Sequence, residues 1–203
     1  MEIKVLNLGD IQVNCYLISS ENAAIVIDPG YYSNKVEEFL KLNCDKQRLI
    51  LLTHCHFDHI GGANELRQNT GVKIAIGEIE NKYLSDSNVN LSGLFGESLA
   101  PFSADVLLSD SEELTVGDIN IKVIHTPGHT EGSVSYLIGD ILFSGDTLFN
   151  SSIGRTDFPT GSFSVLSSTV KKLYELDGDI AVLSGHGEET TIAYEKTHNP
   201  FVR

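Results

Sequence analysis

The feature that most constrains this chain is Thr53-His54-Cys55-His56-Phe57-Asp58-His59, four ligand-type side chains within six positions. It follows an almost wholly apolar run, Arg48 to Thr53, which reads as a strand covered on both faces. In extended chain successive side chains alternate, so His54, His56 and Asp58 can point to one side while Cys55 points away. His59 comes next, where the chain turns into a helix expected from about Ile60 to Asn69. The early N–H groups of that helix favour negative charge nearby. Such a turn makes a site for one or two cations, and a buried strand must deliver it to a fixed place. One segment cannot complete two coordination shells, since zinc takes about four ligands per ion. Three further candidates each follow an apolar strand and sit beside glycine: His129, Asp146 and His186.

The rest of the chain reads as two halves, each with strands followed by a helix. Strands are expected at Ile3–Leu8, Val13–Ser19, Ala23–Ile27 and Val72–Ile76, with a helix starting at Ser33. In the second half they are expected at Leu114–Val116, Ile119–Ile124, Ser133–Ile138, Ile141–Phe143 and Ile180–Leu183, with a helix from Ser162 to Leu176. Ser85 to Ser103 has no clean period and reads as a long loop, which with Tyr83 would shape a pocket or form a lid. Two sheets face to face with helices outside follow most simply.

Composition sets the outer bounds. With 203 residues and 41% hydrophobic content the chain suits one buried core, so residues 1–203 are expected to form a single domain. A net charge of −14 excludes a bulk nucleic-acid binder, because phosphate neutralisation needs clustered Lys and Arg. No apolar run is long enough for a membrane helix, and the first residues lack a signal-peptide core, so a cytoplasmic protein is expected. Three cysteines do not make a disulfide framework; Cys55 reads as an incidental thiol, and Cys15 and Cys44 as packing residues. His125 is expected to fix the His129 loop by a hydrogen bond, His198 to lie on the surface, and Arg155 to pair with Asp157.

The metal-type residues together resemble those of the metallo-β-lactamase fold superfamily, across essentially the whole chain. The resemblance implies a four-layer αββα sandwich holding two divalent metal ions between its sheets. By that likeness His54, His56 and His129 would bind one ion, Asp58, His59 and His186 the other, and Asp146 would bridge them. Zinc is the first expectation for both ions, and iron or manganese suits the same donors. The best-known zinc β-lactamases place a cysteine where this chain has Asp146. The aspartate, with Gly145-Asp146-Thr147-Leu148-Phe149, Ile153-Gly154-Arg155-Thr156-Asp157-Phe158-Pro159 and the ending around Gly185-His186-Gly187, resembles the short single-domain branch of the glyoxalase II group.

That branch implies hydrolysis of a small-molecule thioester by a metal-bridging hydroxide attacking the acyl carbonyl, with Asp58 as the catalytic carboxylate. Full-length glyoxalase II carries a C-terminal helical domain that holds glutathione. This chain stops 17 residues after His186, so those binding residues have no counterparts here. Two alternatives share the motif. One is a mononuclear-iron persulfide dioxygenase using His54, His129 and Asp146; the other is a lactone or phosphodiester hydrolase. Oligomeric state is not encoded in any of these features.

Overall fold

The computed structural model describes residues 1–203. Two six-stranded sheets stack face to face. The first has the order β1 (Glu2–Leu8), β2 (Val13–Ser19), β3 (Ala23–Ile27), β4 (Gln47–Leu52), β5 (Lys73–Gly77) and β6 (Val106–Leu108). Its first three strands pair antiparallel, and β3 to β6 run parallel. The second contains β7 (Glu113–Val116), β8 (Ile119–His125), β9 (Val134–Ile138), β10 (Ile141–Gly145), β13 (Ala181–Ser184) and β14 (Thr190–Thr191), in the spatial order β14-β13-β10-β9-β8-β7. Only the β10–β13 pairing in it is parallel. A short hairpin, β11 (Leu148–Phe149) with β12 (Ser152–Ile153), stands apart.

Burial follows the alternation of each strand. Ile18, Ile25, Ile27 and Leu51 of the first sheet meet Ile121, Val123, Tyr136 and Phe143 of the second, and this is the central layer of the core. The outward face of the first sheet (Leu17, Val26, Ile50, Leu52, Ile74) is covered by α1 (Asn34–Leu42) and α3 (Ala63–Thr70) through Val36, Leu40 and Leu66. The outward face of the second (Leu142, Val182) is covered by α5 (Phe163–Leu173) and α6 (Ile192–His198) through Leu166, Val170, Leu173 and Ile192. The layers are therefore α, β, β, α, as expected. No helix is long and apolar enough to cross a membrane.

Several local expectations are corrected. The helix after the histidine motif is split at Gly61-Gly62 into α2 (Phe57–Ile60) and α3, so Asp58 and His59 ride on a single turn with little macrodipole. The Ser85–Ser103 stretch is not structureless, since it contains the one-turn helix α4 (Ser92–Phe95). The Ser162 helix ends at Leu173, and Leu176 lies beyond it. Cys44 is exposed rather than packed; Cys15 and Cys55 are buried.

Two tyrosines tie the sheets together reciprocally. Tyr16, from the first sheet, donates to the Ser184 carbonyl at 2.6 Å; Tyr136, from the second, donates to the Leu52 carbonyl at 2.6 Å. Both acceptors close strands that lead into metal-type residues, so these bonds set the relative height of the two sheets where it matters. Removing one hydroxyl strands a buried carbonyl acceptor. Tyr136→Phe is expected to cost about 1–2 kcal/mol, read as a lower urea midpoint with an unchanged slope.

Candidate metal centre

All seven sequence-selected residues meet at one end of the sandwich, along the seam between the sheets. The segment after β4 supplies His54 and His56, and α2 supplies Asp58 and His59. The turn between β8 and β9 supplies His129. Asp146 and His186 follow β10 and β13. Glycine makes the crowding possible at two points. A Cβ at Gly30 would collide with the Asp58 backbone carbonyl, and one at Gly185 would strike the Asp146 carboxylate and the His59 ring.

The imidazoles form two groups. His54 Nε2 lies 3.1 Å from His56 Nδ1, which lies 2.9 Å from His129 Nε2. The other ring nitrogens explain this aim. The Arg155 carbonyl accepts from His129 Nδ1–H at 2.7 Å, which leaves the Nε2 lone pair facing inward. Thr53 Oγ1 gives its only proton to Asp28 at 2.7 Å, so at 3.0 Å it accepts from His54 Nδ1–H. In the second group His186 Nε2 is 3.3 Å from Asp58 Oδ2, and His59 Nε2 is 3.7 Å from the same oxygen.

Asp146 stands between the groups with its oxygens divided. Oδ2 faces His129 Nε2 at 3.6 Å; Oδ1 faces His59 Nε2 at 3.3 Å and His186 Nε2 at 3.8 Å. Three triads bring their donor atoms within 4.8 Å of one another: His54, His56 and His129; His54, His59 and Asp146; Asp58, His59 and His186. His59 Nε2 and Asp146 Oδ1 are buried without a hydrogen-bond partner. Buried polar atoms are normally paired, so orphans aimed at a shared space fit a bound cation. Nitrogen and carboxylate donors of this kind suit divalent zinc, iron or manganese.

Charge tells the same story. Burial and the neighbouring imidazoles hold His54 well below the ordinary histidine pKa, and His56 is pushed down to about 3, mainly by burial and then by His129. Both are neutral donors at pH 7. His59 goes the other way: burial opposes its proton, but Asp146, Asp58 and Asp28 outweigh that and hold it well above the ordinary value. At His186 burial likewise opposes the proton, and the Asp58 hydrogen bond prevails. Asp146 and Asp58 are lowered, because the imidazoles, His59 first, overcome burial. His59 thus favours its protonated form beside these carboxylates.

Two buried acids without any ligand pattern in the sequence hold this arrangement. Asp28 Oδ1 accepts from Thr53 N–H at 2.8 Å, and Oδ2 accepts from Thr53 Oγ1 and from His59 Nδ1–H at 2.9 Å. One carboxylate thereby orients His59 directly and His54 through Thr53. Its only sequence signal is an acidic residue between an apolar strand and Pro29-Gly30. Glu80, fully buried, accepts from Cys55 N–H at 2.8 Å and from Gly132 N–H at 2.9 Å. It clamps the segment between His54 and His56 to the turn that carries His129, and nothing in the sequence marks it. Cys55 packs into the outer core, turned away from the donors. His125 Nε2 donates to the Glu131 carbonyl at 3.1 Å and fixes that turn, Arg155 pairs with Asp157, and His198 stacks on Tyr194 at the surface. Tyr83 hydrogen-bonds Glu131.

Comparison with known proteins agrees with this geometry. The model of the metallo-beta-lactamase superfamily matches residues 8–186. A probable metallo-hydrolase, YqgX of Bacillus subtilis, is 36% identical over 100% of this chain and 98% of its own length. The hydroxyacylglutathione hydrolase GloC of Haemophilus influenzae is also 36% identical, over 100% of this chain and 98% of its own. The crystal structure of BLEG-1, a B3 metallo-beta-lactamase, superposes with a TM-score of 0.91 at 39% identity, covering 99% of each chain. The chain belongs to the metallo-beta-lactamase superfamily.

Two predictions test the site. Ring nitrogen NMR on the metal-free chain should show His54 and His56 neutral at pH 5 and His59 still doubly protonated at pH 7; zinc should then remove the His59 Nε2 proton. A His59 that is neutral at pH 7 without metal would contradict the charge balance. Because folded His59 holds its proton more tightly than an unfolded histidine, its ion pairs stabilise the metal-free chain fully below the ordinary range. That contribution fades as pH rises through the elevated value. Glu80→Gln turns an amide donor toward a backbone N–H, so it should lower stability by about 1–3 kcal/mol in urea and weaken zinc binding about tenfold or more.

Proposed function

We propose that this metallo-beta-lactamase superfamily member is a thioester hydrolase that works with two divalent cations, one held by His54, His56 and His129 and the other by Asp58, His59 and His186. Residues 1–203 act as a single domain, and Asp146 would offer one oxygen to each ion. The observation that carries this reading is the division of the Asp146 oxygens, one toward His129 and one toward His59 and His186. A carboxylate can serve two cations at once, which imidazole cannot do without losing its remaining proton. Cations there, zinc first among those the donors suit, would supply a water that ionises near neutral pH and polarise the scissile carbonyl.

The protein's own groups do the remaining work. Asp58, ionised and next to His186, is placed to accept a hydrogen bond from the attacking water and orient it toward the acyl carbon. Asp28 and the Arg155 carbonyl keep the imidazoles in the tautomer that leaves their lone pairs inward. Water then adds to the acyl carbon, the C–S bond breaks, and the products are a carboxylic acid and a thiol. GloC, whose name is that of a thioester hydrolase, supports this class. The Asp58, His59 and His186 group offers donors for a second cation, which supports two ions over one.

The deciding experiment pairs elemental analysis with assays in the absence of oxygen. The expected result is two metal ions per chain and hydrolysis of acyl thioesters. Asp146→Asn should lower metal content and cut that turnover roughly 100-fold or more. Undiminished metal and turnover in this variant would remove Asp146 from its joining role. Oxygen uptake with a persulfide at one iron per chain, or faster turnover of a β-lactam, lactone or phosphodiester, would replace the thioester reading.

A further inference from the structure

The rim of the metal centre next to His56 is built from aromatic rings. The Phe158 ring centre lies 6.0 Å from that of His56, nearly perpendicular to it. Phe95 lies 6.4 Å from Phe158 and 5.0 Å from the buried Phe57. Phe95 is 51% exposed and its neighbour Leu94 67% exposed, so this end of the wall offers apolar surface beside the site. Their segment is tied down. Phe57 N–H donates to the Asn90 carbonyl at 2.9 Å, and the buried Asn90 side chain bonds Leu84 and Ser92. The wall is therefore anchored to the segment that carries Asp58. On the opposite flank the Phe149 ring lies 6.4 Å from His186.

Charge at the rim is arranged differently. Two cations stand on segments adjoining the site, and each is already paired. The Arg155 guanidinium lies 3.9 Å from the Phe158 ring centre, but it is held in a two-pronged pair with Asp157, both bonds at 2.7 Å. Lys82 is bound to Glu131 at 3.0 Å. A substrate group bearing free carboxylates would meet cations whose charge a neighbouring carboxylate already offsets, against a net charge of −14. An uncharged apolar group would gain by covering exposed rings.

We propose that Phe158 and Phe95, with Arg155 neutralised by Asp157, make this site select thioesters whose sulfur carries an uncharged apolar group over those built on a carboxylate-bearing carrier such as glutathione. This rests on the thioester reading, shares with GloC the bond that is cleaved but not the glutathione carrier in its name, and its test is chosen to fail separately. Two inert ketone analogues, each with a methylene between carbonyl and sulfur, are titrated calorimetrically into the zinc-loaded protein. One carries a benzyl group on sulfur and the other glutathione. The benzyl analogue is expected to bind about tenfold or more tightly.

In the Phe95→Ala/Phe158→Ala double variant the gap should shrink to about threefold or less. Asp157→Asn should strengthen binding of the glutathione analogue several-fold, a gain that a damaged protein would not show. Equal or tighter binding of the glutathione analogue to the unaltered protein, or a gap unchanged by the double variant, overturns the proposal. Hydrolysis of the two corresponding thioesters separates the claims. Turnover that favours the glutathione ester sinks the selectivity and leaves the hydrolase standing. Tighter benzyl-analogue binding with neither ester cleaved upholds the selectivity and removes the hydrolase.

Discussion

Two carboxylates, Asp58 and Asp146, sit among five imidazoles at the seam between two sheets, and they cannot stay there without positive charge. Much of the surrounding structure answers to that need. His59, whose pKa the three neighbouring carboxylates raise, stands 2.9 Å from Asp28 and 3.3 Å from Asp146. A divalent ion would meet that need, since it takes these donors and gives the orphaned atoms partners.

Position comes from the strands and precision from a few buried polar groups. Apolar alternation brings β4, β8, β10 and β13 to one end of the sandwich. It cannot decide which nitrogen of each imidazole points inward. For His59, His54 and His129 that choice falls to Asp28, Thr53 and the Arg155 carbonyl, and Glu80 keeps two of the loops in step. The sheet-to-sheet bonds from Tyr16 and Tyr136 end on residues one or two positions from ligand-bearing segments. The core and the centre therefore share a frame.

What could be read from the sequence follows the same division. The seven metal-type residues were legible because each is a chemically distinctive side chain after an apolar strand, and the layered fold was legible in the repeated strand pattern. Asp28 and Glu80 were not, because a lone acid reveals its role only through backbone N–H groups supplied by distant segments. The break at Gly61-Gly62 was hidden inside a run of plausible helix, and α4 in a polar stretch with no period. Cys44 shows the limit of composition: a thiol is usually packed, yet this one lies just after α1, in a turn facing solvent.

The seven metal-type residues come from widely separated parts of the chain: four from six adjoining residues early on, one from the turn after β8, one after β10, and the last after β13. During synthesis the early cluster emerges from the ribosome long before its partners. It could detain a cation loosely, but the group of Asp58, His59 and His186 is complete only once β13 has docked beside β10. Retention of a second ion in a growing chain would then report that β13 has taken its place beside β10.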